Sequence, residues 1–178
     1  MIGMRRIMLI FVLASALCAQ TQPKRPQTLR GVLLEQLRTT HDQEDWFVPI
    51  HVAVADLTPE QASWTDGHGN HSIGQLVNHL AFWDARALEQ FKGEKPRAYN
   101  GNNDDTFNFD RKTWTASIEQ LESAMKGWEE AVQAADESKL NASASLIAHI
   151  GAHNAYHLGQ IIYIRKMQGS WNPAKGVK

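Results

Sequence analysis

Between residues 114 and 135 the apolar side chains recur at steps of four and three. Trp114, Ile118, Leu121, Met125, Trp128, Val132 and Ala135 form one seam. Such a seam is buried only by a helix lying along other helices. The rest of the chain repeats the theme less regularly. A first helix opens with Thr28 as N-cap, carries Leu29, Val32, Leu33, Leu37 and Thr40 on one stripe, and is predicted to continue to Phe47, where Pro49 kinks or ends it. Thr58-Pro59-Glu60-Gln61 predicts a cap and one short helical turn. Asp66 to Asn70 is a loop. Ser72 with Gln75 reads as a capping box ahead of a second helix that buries Ile73, Leu76, Val77, Leu80, Ala87, Leu88 and Phe91, and stops at Gly93 and Pro96. The seam at 114–135 is the third helix, and a fourth is predicted from about Ser143 to Gln168. No segment alternates as a half-buried strand does, so the expected class is all-α, a four-helix bundle.

The second and third helices are joined by Lys95 to Asp110, a long polar connection. A helix of ~20 residues is about 30 Å long, and sixteen residues of extended chain at roughly 3.3 Å each can span it. The connection therefore permits a crossover that leaves these two helices parallel. Its Asn100–Asp105 run suits a floppy loop equally well.

Residues 1–19 read as an export signal rather than as part of the fold. Arg5 and Arg6 precede an apolar run from Ile7 to Leu17, and small and polar residues follow. The run is short of the roughly 20 residues needed to span a bilayer. Cys18 at its end is a site for lipid attachment in the alternative processing. Residues 20–27 then form a linker, 28–172 the helical domain, and 173–178 a tail. The expected location is periplasmic or secreted, with no membrane contact of the mature domain unless Cys18 is lipidated. Removing the signal leaves 16 basic against 19 acidic residues and no cysteine. A thiol nucleophile is thereby excluded, and the absence of a basic excess argues against nucleic acid.

The fourth helix places histidine where its core stripe should be apolar. The stripe runs Leu146, Ile150, His153, His157, Ile161 and Ile164. His153 and His157 stand one turn apart, about 6 Å by helix rise. Unpartnered, a buried polar group costs on the order of 1–3 kcal/mol, and a divalent cation would satisfy both rings. His79, beside Leu76, Leu80 and Trp83 on the second helix, offers a third imidazole. Three imidazoles from two helices suit Zn²⁺, Ni²⁺ or Fe²⁺ with a position left open. His149 reads as a core-edge or solvated ring, His68 and His71 as loop residues, and His41 and His51 as lacking a paired spacing. Trp46, Trp83 and Trp128 are either core residues or the walls of an apolar pocket.

His153-Asn154-Ala155-Tyr156-His157-Leu158-Gly159-Gln160, continuing to Ile161 and Arg165, resembles the last-helix signature of the DinB/YfiT-like proteins. Ser72 to Leu80, with His79 inside it, resembles their second-helix signature, and the likeness extends over residues 28–172. The resemblance implies an up-down-down-up four-helix bundle, a three-histidine divalent-metal site on His79, His153 and His157, and a homodimer. Related branches include thiol-dependent S-transferases and isomerases, and others are regarded as metal-dependent hydrolases of unknown substrate. An exported chain departs from the thiol-dependent branches, because small thiols are scarce outside the cytoplasm.

The expected chemistry is a metal-dependent hydrolase or transferase reaction on a small molecule. Asn154 stands where zinc proteases of the HExxH type carry their glutamate base, so peptide hydrolysis by that route is not expected. No phosphate loop and no Gly-x-Ser-x-Gly elbow is present. Asn154 and Gln160 are candidates to orient ligands, Tyr156 to donate a proton, and Gly159 to let helices approach. The rival expectation is a non-catalytic metal- or ligand-binding protein of stress or sequestration.

Overall fold

A computed structural model describes residues 25–176. Among them no strand occurs; the helices are α1 (Leu29–His41), α2 (Ile50–Val54), α3 (Pro59–Ser63), α4 (Ile73–Lys92), α5 (Trp114–Ala134) and α6 (Glu137–Met167), with short 3-10 turns between and after them. None of the helices is long and apolar enough to cross a membrane. Residues 1–19, expected from the sequence to be an export signal, lie outside the described residues.

Short polar side chains start the helices by accepting from backbone N–H groups that have no partner within the first turn. Thr28 accepts from Gly31 N, and Asp136 from Lys139 N. Thr58 with Gln61 and Ser72 with Gln75 form reciprocal capping boxes. Gly93 ends α4 in the left-handed conformation, its N–H reaching the Glu89 and Gln90 carbonyls.

Several boundaries differ from the sequence reading, each for a physical reason. The first helix stops at His41 instead of running to Phe47: residues 42–45 are polar and acidic, and Asp45 turns to Arg25, accepting two hydrogen bonds of 2.6 and 2.9 Å. Arg25, assigned to the linker, also meets Glu35 at 2.7 Å. Pro49 then caps the separate α2. The last helix starts at Glu137, ahead of Ser143, because Asp136 supplies the cap and Leu140 is wholly buried. Its inward stripe uses Ile147, fully buried, while Leu146 is exposed. The tail folds back, with Lys175 Nζ 2.6 Å from Asp56.

α4 lies along α5 and α6 along α1, while α1 also meets α5 and α4 meets α6. The core falls into two apolar clusters. One joins Ile73, Leu76, Val77 and Leu80 of α4 to Leu121 of α5 and Leu158 and Ile161 of α6. The other joins Leu33 and Leu37 of α1 to Phe91, Trp128, Val132 and Ile147. Between the clusters α4 carries Asp84 and α6 carries Asn154, both buried. The connection between α4 and α5 packs back onto α4. Tyr99 packs on Phe82 and Trp83, ring centroids 5.4 and 5.3 Å away, and residues 103–107 form a 3-10 turn against α4.

Candidate metal centre

The capping box at Ser72 sets where α4 begins, and two turns later His79 faces α6. There it meets His153 and His157, one turn apart on their own helix. His79 Nε2 lies 3.2 Å from His153 Nε2, and His157 Nε2 lies 3.1 Å from the same atom. Two ligands at the usual zinc–nitrogen distance of about 2.0–2.1 Å in a tetrahedral arrangement stand roughly 3.3 Å apart, so these separations fit a shared cation. The three rings have ligand atoms within 4.8 Å of one another; His79 and His157 are buried and His153 is half-buried.

Hydrogen bonds behind the rings decide which nitrogen is free. Thr106 Oγ1 donates to the Asn103 carbonyl at 2.6 Å, so toward His79 Nδ1, also 2.6 Å away, it accepts. His157 Nδ1 lies 2.6 Å from Gln160 Oε1, an atom that can only accept. Both rings therefore carry their proton on Nδ1 and turn the Nε2 lone pair to the centre. This is the outer support that metal-binding histidines require.

Burial disfavours charge on all three rings. His79 is pushed down to about 3, by burial first and then by His157, His153 and His71. His153 is pushed down to about 4 by burial and by His157. Burial also lowers His157, against the Gln160 bond that raises it. Three neutral imidazoles with aligned lone pairs are the form that binds a divalent ion.

Two residues of the centre were not foreseen. Phe107 stacks flat on His79 at 4.0 Å, and His71 stacks on the other face of Phe107 at 3.9 Å. Thr106 and Phe107 both come from the crossover, 27 and 28 positions from His79, and nothing in their local pattern signals the contact. His71, read as a loop histidine, is the exposed outer ring of this stack.

The remaining candidates separate clearly. Gln160 orients His157, and its Nε2 lies 3.4 Å from the hydroxyl of Tyr156, which is exposed. Asn154 turns away into the core and donates to Asp84 Oδ2 at 2.9 Å. Gly159 does not admit a neighbouring helix, since an added Cβ would meet nothing within 4 Å. Close approaches between helices occur instead at Gly151, against Gln36, and Gly127, against Leu88, while Gly74 lies against Phe109 of the crossover. His149 is exposed and bonds back to the Ser145 carbonyl at 2.7 Å. Trp128 is a core residue, whereas Trp46 is 86% exposed beneath Arg25. His41, left aside in the sequence reading, is buried with Glu129 and Glu122 on its two ring nitrogens at 2.6 and 2.8 Å.

A cavity of about 670 Å³ adjoins the centre, walled by Trp64, His71, Leu76, Tyr156, Gln160 and Tyr163 among others. None of the three histidines lines it; its links to them are Gln160, bonded to His157, and His71, stacked on Phe107. A larger groove of about 930 Å³ runs along α4 and α5 under the crossover, and the three histidines do not line it either.

A family model for the DinB superfamily matches residues 50–161, a span that holds all three histidines and Gln160. No curated protein and no solved structure matches the chain.

Proposed function

The chain belongs to the DinB superfamily, and from that premise we propose that it binds a divalent cation at His79, His153 and His157 and acts, after export, on a small molecule as a metal-dependent hydrolase or transferase. The observation that carries this reading is the convergence of three Nε2 atoms with two of the rings held in the Nδ1–H form. Zn²⁺, Ni²⁺ and Fe²⁺ all suit such a donor set. Once bound, the cation supplies Lewis acidity toward an oxygen or sulfur ligand.

The chain's own residues do the rest. Thr106 and Gln160 keep the imidazoles oriented; Phe107 and His71 cover His79 and limit water on that side. Trp64, Leu76 and Tyr163 offer apolar surface to the body of a substrate, beside the polar Asp66, Asn70 and Gln160. The Tyr156 hydroxyl, at the mouth of that cavity, is placed to give a proton. The topology that best accounts for these positions is an up-down-down-up bundle. Support comes from contacts that run in register between α4 and the chain entering α5 (Gly74 with Phe109, Asp84 with Trp128) and in reverse between α4 and α6 (His79 with His157, Asp84 with Asn154). Association as a homodimer belongs to the same proposal.

The test is metal analysis of protein purified from its own host without a nickel column, followed by ester, amide and thiol-transfer substrates. About one equivalent of divalent metal is expected, with both metal and turnover lost in His157→Ala and with metal content and thermal stability lowered in His153→Ala. Metal content unchanged in both variants would remove these rings from the ligand set. Tight metal binding without turnover on a broad panel would instead support a sequestration protein.

A further inference from the structure

Asp84 is the most deeply buried ionisable group the metal chemistry leaves unused. Its side chain is 0% exposed and Asn154 is 1% exposed. They meet through one hydrogen bond, Asn154 Nδ2 to Asp84 Oδ2 at 2.9 Å. Each side chain has one oxygen left, Asp84 Oδ1 and Asn154 Oδ1, and both are buried without a partner. An ionised carboxylate cannot relieve this, because it only accepts and so does the amide oxygen. A carboxylic acid can, since its O–H is a donor.

We propose that Asp84 is carried as the neutral acid and closes a two-bond ring with Asn154, its O–H donating to Asn154 Oδ1 while Asn154 Nδ2 donates to Asp84 Oδ2, and that this ring sets the register of α4 against α6. Its place in the fold gives it that role. On both helices the pair falls between the two apolar clusters, whose contacts alone discriminate poorly between neighbouring registers. Slipping one helix by a turn, about 5.4 Å, would bury both polar groups unpaired and carry His79 away from His153 and His157. A buried polar pair of this kind is a recognised means of fixing register. From α5 the Trp128 indole N–H donates to the Asp84 main-chain carbonyl at 3.0 Å. Among the described residues no charged neighbour acts on it; burial raises its pKa to about 7, opposed by the Asn154 bond.

Asp84 is thus a positioning residue, and its bearing on the metal rests on the reading above, whereas its proton does not. Because its folded pKa is raised, the stability it contributes is whole below the unfolded value near 4 and is lost as pH rises through about 7. The experiment compares the full chain with Asp84→Asn and Asp84→Ala, by thermal unfolding from about pH 3.5 to pH 8.5, by infrared spectra for a protonated carboxyl, and by Zn²⁺ affinity. The amide of Asp84→Asn can make both bonds at any pH. It is expected to match the wild type at low pH, to exceed it increasingly as pH rises, to lack the infrared band, and to keep the Zn²⁺ affinity that Asp84→Ala loses. Subtracting wild type from variant removes the contribution of His41, which titrates in an overlapping range.

The proposal is overturned if the wild type lacks a protonated-carboxyl band at low pH, or if Asp84→Asn leaves the pH slope unchanged. Failure of all three proteins to bind Zn²⁺, with band and slope as expected, would sink the metal reading and leave the acid–amide ring standing. Should Asp84→Ala not fold, the wild-type and Asp84→Asn comparison decides alone.

Discussion

His41 sits in the last turn of α1 with a carboxylate on each ring nitrogen, Glu129 at 2.6 Å and Glu122 at 2.8 Å. Burial works to lower its pKa, but the two hydrogen bonds outweigh it and raise the ring to about 9. Glu122 responds in the opposite sense, lowered chiefly by the same bond. Here the imidazolium is a clamp between α1 and α5, the reverse of the neutral rings at the metal centre. A group raised from 6.5 contributes its full stability below that value and loses it as pH rises through about 9. Glutamine at position 41 should therefore cost on the order of 2 kcal/mol near pH 6, with the difference shrinking above pH ~9. Urea unfolding of wild type and His41→Gln across that range measures it; a deficit independent of pH would mean the ring only packs.

At the scale of the element, two glycines in helices carry opposite expectations. Gly74, in the first turn of α4, lies under the Phe109 ring, and an added Cβ would come within 2.3 Å of it. Gly159 on α6 has open space around it and lines the cavity. Gly74→Ala should thus destabilise by about 1–3 kcal/mol through overpacking, while Gly159→Ala should stabilise by up to about 1 kcal/mol through helix propensity. Equilibrium unfolding of both variants checks the contrast, and a gain at Gly74 would contradict the packing described for Phe109. The same reasoning explains why α6 begins early. Asp136 caps it, Arg30 reaches across from α1 to the Val132 and Gln133 carbonyls and to Glu137, and a connection of two residues suffices.

For the whole molecule, the long crossover is the feature that joins fold to site. It carries Thr106 and Phe107 onto His79, so the segment that links α4 to α5 also finishes the centre. No such support would be available from a two-residue turn. The proposed export belongs to this scale too, because it decides which thiols and metals the centre meets. Intact-mass measurement of the protein from the periplasmic fraction should show the chain beginning at residue 19 or 20; a soluble species retaining residues 1–18 would refute export by cleavage.

Period and chemistry along the chain were sufficient to identify the all-helical class, the caps at Thr28, Thr58 and Ser72, and the unusual histidines at 79, 153 and 157. Each is a local property: a face of a helix is apolar or it is not, and a serine either precedes a helical turn or does not. Apart from His79 with His153 and His157, the pairings between distant segments escaped: His41 with Glu122 and Glu129, His79 with Thr106 and Phe107, Asp84 with Asn154. These partners lie from 27 to 88 residues apart. A helix's own sequence states which side it must bury, but the neighbour that covers that side is selected only when the helices dock. Docking is governed by packing summed over the whole core, so the charge on His41, the tautomer of His79 and the partner of Asp84 were settled by the tertiary structure alone.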